Sequence, residues 1–100
     1  MPHVILKMDR YLSRGPDAGS PAFEAIHLQA TEGESVLDLL SSYAAMNETF
    51  RKAVFDEKSQ RIQMTAIVIM NGRIVNPHDR SETSLKEGDE VMVVSMMDGG

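Results

Sequence analysis

The run Thr65-Ala-Ile-Val-Ile-Met70, followed at once by Asn71-Gly72, constrains this chain more than any other stretch. A continuous apolar, β-branched run of this length suits a strand buried on both faces. Asn-Gly then calls for a type I′ turn, because both central positions of that turn need positive φ. Arg73-Ile-Val-Asn76 returns as a short strand, and Pro77 stops it because proline cannot donate to a ladder. The fold must therefore contain a tight antiparallel hairpin in its C-terminal half, which excludes all-helical architectures.

The other segments build around that hairpin. From His3 to Leu12 the chain places Val4, Leu6 and Met8 on one face at period two, a strand pattern. Residues 13–21 are turn formers, including Gly15, Pro16, Gly19 and Pro21. Ala22 to Ala30 alternates again, with Ile26, Leu28 and Ala30 on one side and His27 and Gln29 on the other. These two strands form an antiparallel hairpin with a long loop. A helix is predicted over 35–46: Ser35 is its N-cap, Asp38 sits in a capping-box position, and Val36, Leu39, Leu40 and Tyr43 follow helical spacing. Within 47–62, Phe50, Val54 and Phe55 suit one further helical turn against the core, followed by a polar loop. Glu87-Gly88-Asp89 is a second tight turn, and Glu90 to Met97 is the last strand. The order β-β-α-β-β-β describes an α+β domain, with one main helix covering a mixed sheet of four to five strands.

Composition narrows the function. One hundred residues, 42% apolar and 25% charged, make one ordinary globular domain rather than a disordered chain. No apolar run reaches the ~20 residues that span a bilayer. Lys7 and Asp9 interrupt the N-terminal apolar patch, so it is not a signal peptide and a cytoplasmic setting is expected. Without cysteine there is neither a disulfide framework nor a thiolate zinc site. A net charge of −5 with scattered bases argues against nucleic acid as a partner. There is no phosphate-binding glycine loop and no nucleophile elbow. His3, His27 and His78 stand apart without metal-ligand spacing, so no metal or cofactor site is expected, and His27 belongs on a solvated face. Asp38, Glu48, Asp56 and Glu57 read as solvated carboxylates. The chain carries no active site of its own.

Its last residues are Asp98-Gly99-Gly100, directly after the final strand. One reading is an inert, frayed end. The other is chemical. Glycine lacks Cβ, so a Gly-Gly segment is thin enough to thread a narrow channel, and its terminal carboxylate is unhindered. Such a carboxylate can be activated as an acyl-adenylate and attacked by a sulfur or nitrogen nucleophile. The strand before it supports an encounter surface. If Val91 and Val93 point inward, alternation turns Met92, Val94 and Met96 outward. We expect these residues to form a docking stripe that Met8 extends and that Met97 and Asp98 continue into the tail.

In order and spacing the chain resembles the MoaD/ThiS family of ubiquitin-like sulfur carriers. The resemblance is carried by Thr49-Phe-Arg-Lys-Ala-Val-Phe-Asp-Glu-Lys58, Ile67-Val-Ile-Met-Asn71-Gly72, Thr83-Ser-Leu85-Lys-Glu-Gly88-Asp89-Glu90-Val91 and Gly99-Gly100. The long stretch between helix and third strand is most similar to the molybdopterin-synthase small subunit. One departure is Ser95-Met96-Met97-Asp98, which stands where the family has a proline-containing run. The resemblance implies a β-grasp domain over 1–98, with pairing of the first and last strands, and a flexible tail at 99–100. It also implies that a ubiquitin-activator-like partner adenylates Gly100, whose carboxylate then becomes a thiocarboxylate, with Gly99 giving reach. ATP, and zinc where present, would belong to that partner. The sulfur would pass to a pterin precursor within a larger synthase subunit. The alternatives are a protein modifier forming isopeptide bonds through Gly100, or a sulfur carrier for thiamine or another metabolite.

Overall fold

The computed structural model describes residues 2–9, 12 and 23–95. Strand β1 (His3–Asp9) pairs antiparallel with β2 (Phe23–Gln29), placing Leu6 opposite Ile26 and Ile5 opposite His27. On its other side β1 runs parallel to β5 (Glu90–Ser95), with Leu6 beside Val91 and Met8 beside Val93. Strand β3 (Ala66–Met70) pairs antiparallel with both β5 and β4 (Arg73–Val75). The sheet order is β2-β1-β5-β3-β4, which places the last strand in the centre.

The expected helix is α1 (Val36–Met46), and its start is built as the sequence indicates. The Ser35 hydroxyl accepts the Asp38 N–H, and the Asp38 carboxylate accepts the Ser35 N–H at 3.1 Å. Val36, Leu39, Leu40 and Ala44 face the core. The ambiguous stretch after it is helical too: α2 (Glu48–Val54) starts at Asn47, whose side chain accepts the Phe50 N–H at 2.9 Å. Phe50 is fully buried and meets Tyr43 edge-to-face, with ring centroids 4.9 Å apart. A bridge between Phe55 and Ile62 closes the polar loop.

Alternation supplies the sheet's half of this core. Val4, Leu6, Met8, Val68, Val91 and Val93 are all at most 1% exposed and pack with the helical residues. Strand β3 departs from the expectation of burial on both faces. Only Val68 is buried, while Ile67 and Ile69 remain partly exposed. The inward side chains of the sheet and those of both helices join one cluster, so nothing described covers the opposite face.

Two local devices define the edges of this frame. Asn71 and Gly72 have φ of +52° and +85°, the conformation a type I′ turn requires. Asn71 also holds the start of β5: its side chain accepts the Glu90 N–H at 2.9 Å and donates to Asp89 at 3.0 Å. At α1, the Ser35 N–H and the Arg80 guanidinium, 2.8 Å away, hold the Asp38 carboxyl below its ordinary value.

Each device yields a test. A Cβ at Gly72 would meet no atom within 4 Å, so Gly72→Val is disfavoured by backbone strain alone. That strain costs ~1–3 kcal/mol, enough to lower the melting temperature by several degrees in a domain of this size. An unchanged melting temperature would refute the turn assignment. For Asp38 the depressed pKa means its stabilisation is present above the unfolded value near 3.8 and is lost as pH falls through the folded value. Asp38→Asn should therefore be less stable at neutral pH and lose less on acidification. Parallel acid limbs for the two proteins would contradict this.

Candidate functional site

Strand β5 divides its side chains as alternation requires. Val91 and Val93 are fully buried, while Met92 and Val94 lie half-buried on the opposite, outer face. The register widens this stripe beyond what the sequence reading anticipated. Ile67 sits opposite Val94, and Ile69 sits opposite Met92 and, on its other side, Ile74. Ile74 is 73% exposed. Met92, Val94, Ile67, Ile69 and Ile74 thus form an apolar band across three adjacent strands.

The band has a charged border. Lys7 lies beside Met92 in the β1–β5 register, and its ammonium pairs with Glu90 at 3.3 Å. An apolar centre beside charges resembles the layout of protein–protein contact surfaces, where burial supplies stabilisation and charges set orientation.

Met8 does not belong to this band, contrary to the sequence expectation. It is fully buried, because directly paired strand residues share a face and its partner Val93 points into the core. The residue β1 contributes next to the band is Lys7. Met96, Met97, Asp98, Gly99 and Gly100 lie outside the described residues, as does the long loop at 13–22.

The carboxylates singled out earlier have local structural roles. Glu48 pairs with Lys52 at 3.1 Å, chiefly through a hydrogen bond that lowers its pKa. Asp56 accepts from the Lys58 N–H and the Ser59 hydroxyl, shaping its loop. Burial and then nearby Arg61 lower the His78 pKa from its ordinary value, and its Nε2 accepts from the Ile62 N–H at 3.4 Å. Among the described residues no group of three or more His, Cys, Asp or Glu side chains could hold a metal ion.

The histidines depart from expectation in one respect. His3 and His27, distant in sequence, meet on the outer face with His27 Nδ1 3.3 Å from His3 Nε2. Each occupies the solvent phase of its own strand, a signal present in the alternation. The pairing register needed to align them was hidden by the length of sequence between the two strands.

Comparison with known proteins adds to this geometry. Residues 21–100 match the family model described as ThiS family. No curated protein is a significant sequence match. Among solved structures, the chain is similar to small archaeal modifier protein 1 from Methanosarcina acetivorans, with 23% identity and a TM-score of 0.73 over 100% of this chain and 98% of that one. It is also similar to SAMP1 from Haloferax volcanii, with 18% identity and a TM-score of 0.76 over 98% and 99%. A third similar structure is molybdopterin converting factor subunit 1 from Pyrococcus furiosus, with 24% identity and a TM-score of 0.64 over 95% and 98%. At these identities the structures establish the shared ubiquitin-like β-grasp fold.

The two faces of β5 should respond oppositely to the same substitution. Val94→Asp places a carboxylate where water reaches it and should leave the melting temperature within a few degrees of wild type. Val93→Asp buries an unpaired charge and should prevent folding. If Val94→Asp also unfolds the domain, the outer face is not open.

Proposed function

The chain belongs to the ThiS family, and we propose that this MoaD/ThiS-like carrier delivers sulfur as a Gly100 thiocarboxylate, most specifically in molybdopterin biosynthesis. The observation that carries this reading is the family match itself, which runs through Gly99 and Gly100. The apolar outer face supports it, since β5 bears Met92 and Val94 and leads toward the glycines. The long stretch between α1 and β3, which holds α2, and the likeness to the Pyrococcus furiosus protein favour the molybdopterin branch.

The proposed chemistry asks little of this chain beyond presentation. A Gly100 carboxylate oxygen attacks the α-phosphorus of ATP on the activating enzyme and releases pyrophosphate. The terminal sulfur of a donor persulfide then bonds to the carbonyl carbon as AMP departs. Thiol cleavage of the remaining S–S bond leaves the thiocarboxylate. Gly99 lets the tail pass a narrow channel, while Met92, Val94, Met96, Met97 and Asp98 guide it there. ATP and any zinc belong to the activating enzyme, and a larger synthase subunit receives the sulfur in the cytoplasm. The domain over 1–98 is the handle and 99–100 the working end.

A second reading has its own support. The likeness to two small archaeal modifier proteins favours a ubiquitin-like modifier, in which a lysine amine attacks the same activated carbonyl. Carriage of sulfur toward thiamine or another metabolite uses the same steps with a different acceptor.

Intact-mass spectrometry of protein from its native host separates these readings. A sulfur-for-oxygen exchange at Gly100 is expected for the carrier, and branched lysine conjugates for the modifier. Deleting Gly99-Gly100 should leave the melting temperature unchanged and abolish both products. A large loss of stability on deletion would make the glycines structural and overturn the proposal. Val94→Asp should weaken binding to the activating enzyme by ~2–4 kcal/mol, as expected for a central contact residue.

A further inference from the structure

We propose that His3 and His27 form a two-imidazole site for one borderline divalent transition-metal ion, of the zinc or copper class, on the outer face of the β1–β2 hairpin. The geometry fits such an ion. Zinc binds imidazole nitrogen at ~2.0–2.1 Å, so two nitrogens on a tetrahedral ion lie roughly 3.3–3.4 Å apart. His27 Nδ1 and His3 Nε2 are 3.3 Å apart, with ring planes inclined by 13°. Both side chains are solvent-accessible, so small ring rotations can turn both lone pairs onto an ion whose remaining positions water fills.

The backbone beneath the pair is already ordered. The His3 N–H donates to the Glu87 carboxylate at 2.9 Å, and the His3 carbonyl accepts the Gly88 N–H at 2.8 Å. Opposite, His27 is locked into the ladder across from Ile5. Ligands mounted on rigid strands lose little freedom when an ion binds. The net charge of −5 favours cation approach, and imidazole pairs suit zinc, copper and nickel rather than magnesium or calcium.

The site is separate from the proposed carrier chemistry. His3 opens β1, whereas β5, running parallel to it, leads away toward the glycines. At ~3.3 Å per strand residue, the pair lies roughly 20 Å from the end of β5. The inference therefore stands or falls independently of the sulfur-carrier reading.

The test is titration of untagged protein with zinc chloride, and separately with copper(II) chloride, followed by isothermal calorimetry and imidazole-detected NMR. One ion per chain is expected, with shifts at His3, His27 and neighbouring β1 and β2 amides but none at His78. His27→Ala and His3→Ala should each weaken binding by about tenfold or more, and His78→Ala should change nothing. His27 is exposed and His3 only half-buried on the outer face, so the variants should fold, which the unfolding midpoint without metal checks. Bound metal should raise the wild-type midpoint and leave that of His27→Ala unmoved. Undiminished binding in His27→Ala, shifts centred elsewhere, or no binding at millimolar metal would each overturn the proposal. So would half-equivalent binding with a doubled hydrodynamic mass, which would describe a site shared between two chains.

Discussion

The parallel ladder between β1 and β5 is the contact on which the rest of the fold depends. It joins the first described strand to the last, and it places Leu6 beside Val91 and Met8 beside Val93 at the centre of the core. Bringing such distant segments together costs loop-closure entropy, which grows only slowly with the length enclosed. The return is a continuous buried layer to which α1 and α2 contribute from one side. β2 joins this layer through β1, and β3 joins it through β5.

That arrangement separates stability from encounter. The inward residues of each strand form the core with the helices, leaving the outward set available for contact without disturbing it. Leaving Ile74 exposed and Ile67, Ile69, Met92 and Val94 only half-buried forgoes apolar burial worth ~25 cal/mol per Å². A partner that covers the band recovers it. The proposed carrier chemistry would place the reacting atom at the terminus and need no cleft, and Asp38, Asp56 and Glu48 serve as helix cap, loop anchor and surface ion pair.

Much of this was legible in the residues. Ser35 with Asp38 marked the start of α1, Asn71-Gly72 marked the turn, and alternation along β5 correctly divided Val91 and Val93 from Met92 and Val94. Three points were not. An apolar run such as 65–70 looks the same whether one face or two are covered, since the second cover is a tertiary fact. Met8 alternates with Val4 and Leu6, a pattern that by itself places it inside rather than in the docking stripe. The parallel register with Val93 settles which pattern governs. The meeting of His3 and His27 is not legible in the residues, because a long connecting sequence leaves hairpin register open and register alone decides which side chains become neighbours.

The central position of β5 has a mechanical consequence. An edge strand pulled from one end peels away, its hydrogen bonds breaking one after another. A strand bonded on both sides, parallel to β1 and antiparallel to β3, must slide past two neighbours at once when drawn along its axis. Traction on the residues beyond Ser95 is therefore shared across both ladders. The fold should thus resist traction applied at the C-terminal end of β5 better than it would if β5 lay at an edge of the sheet.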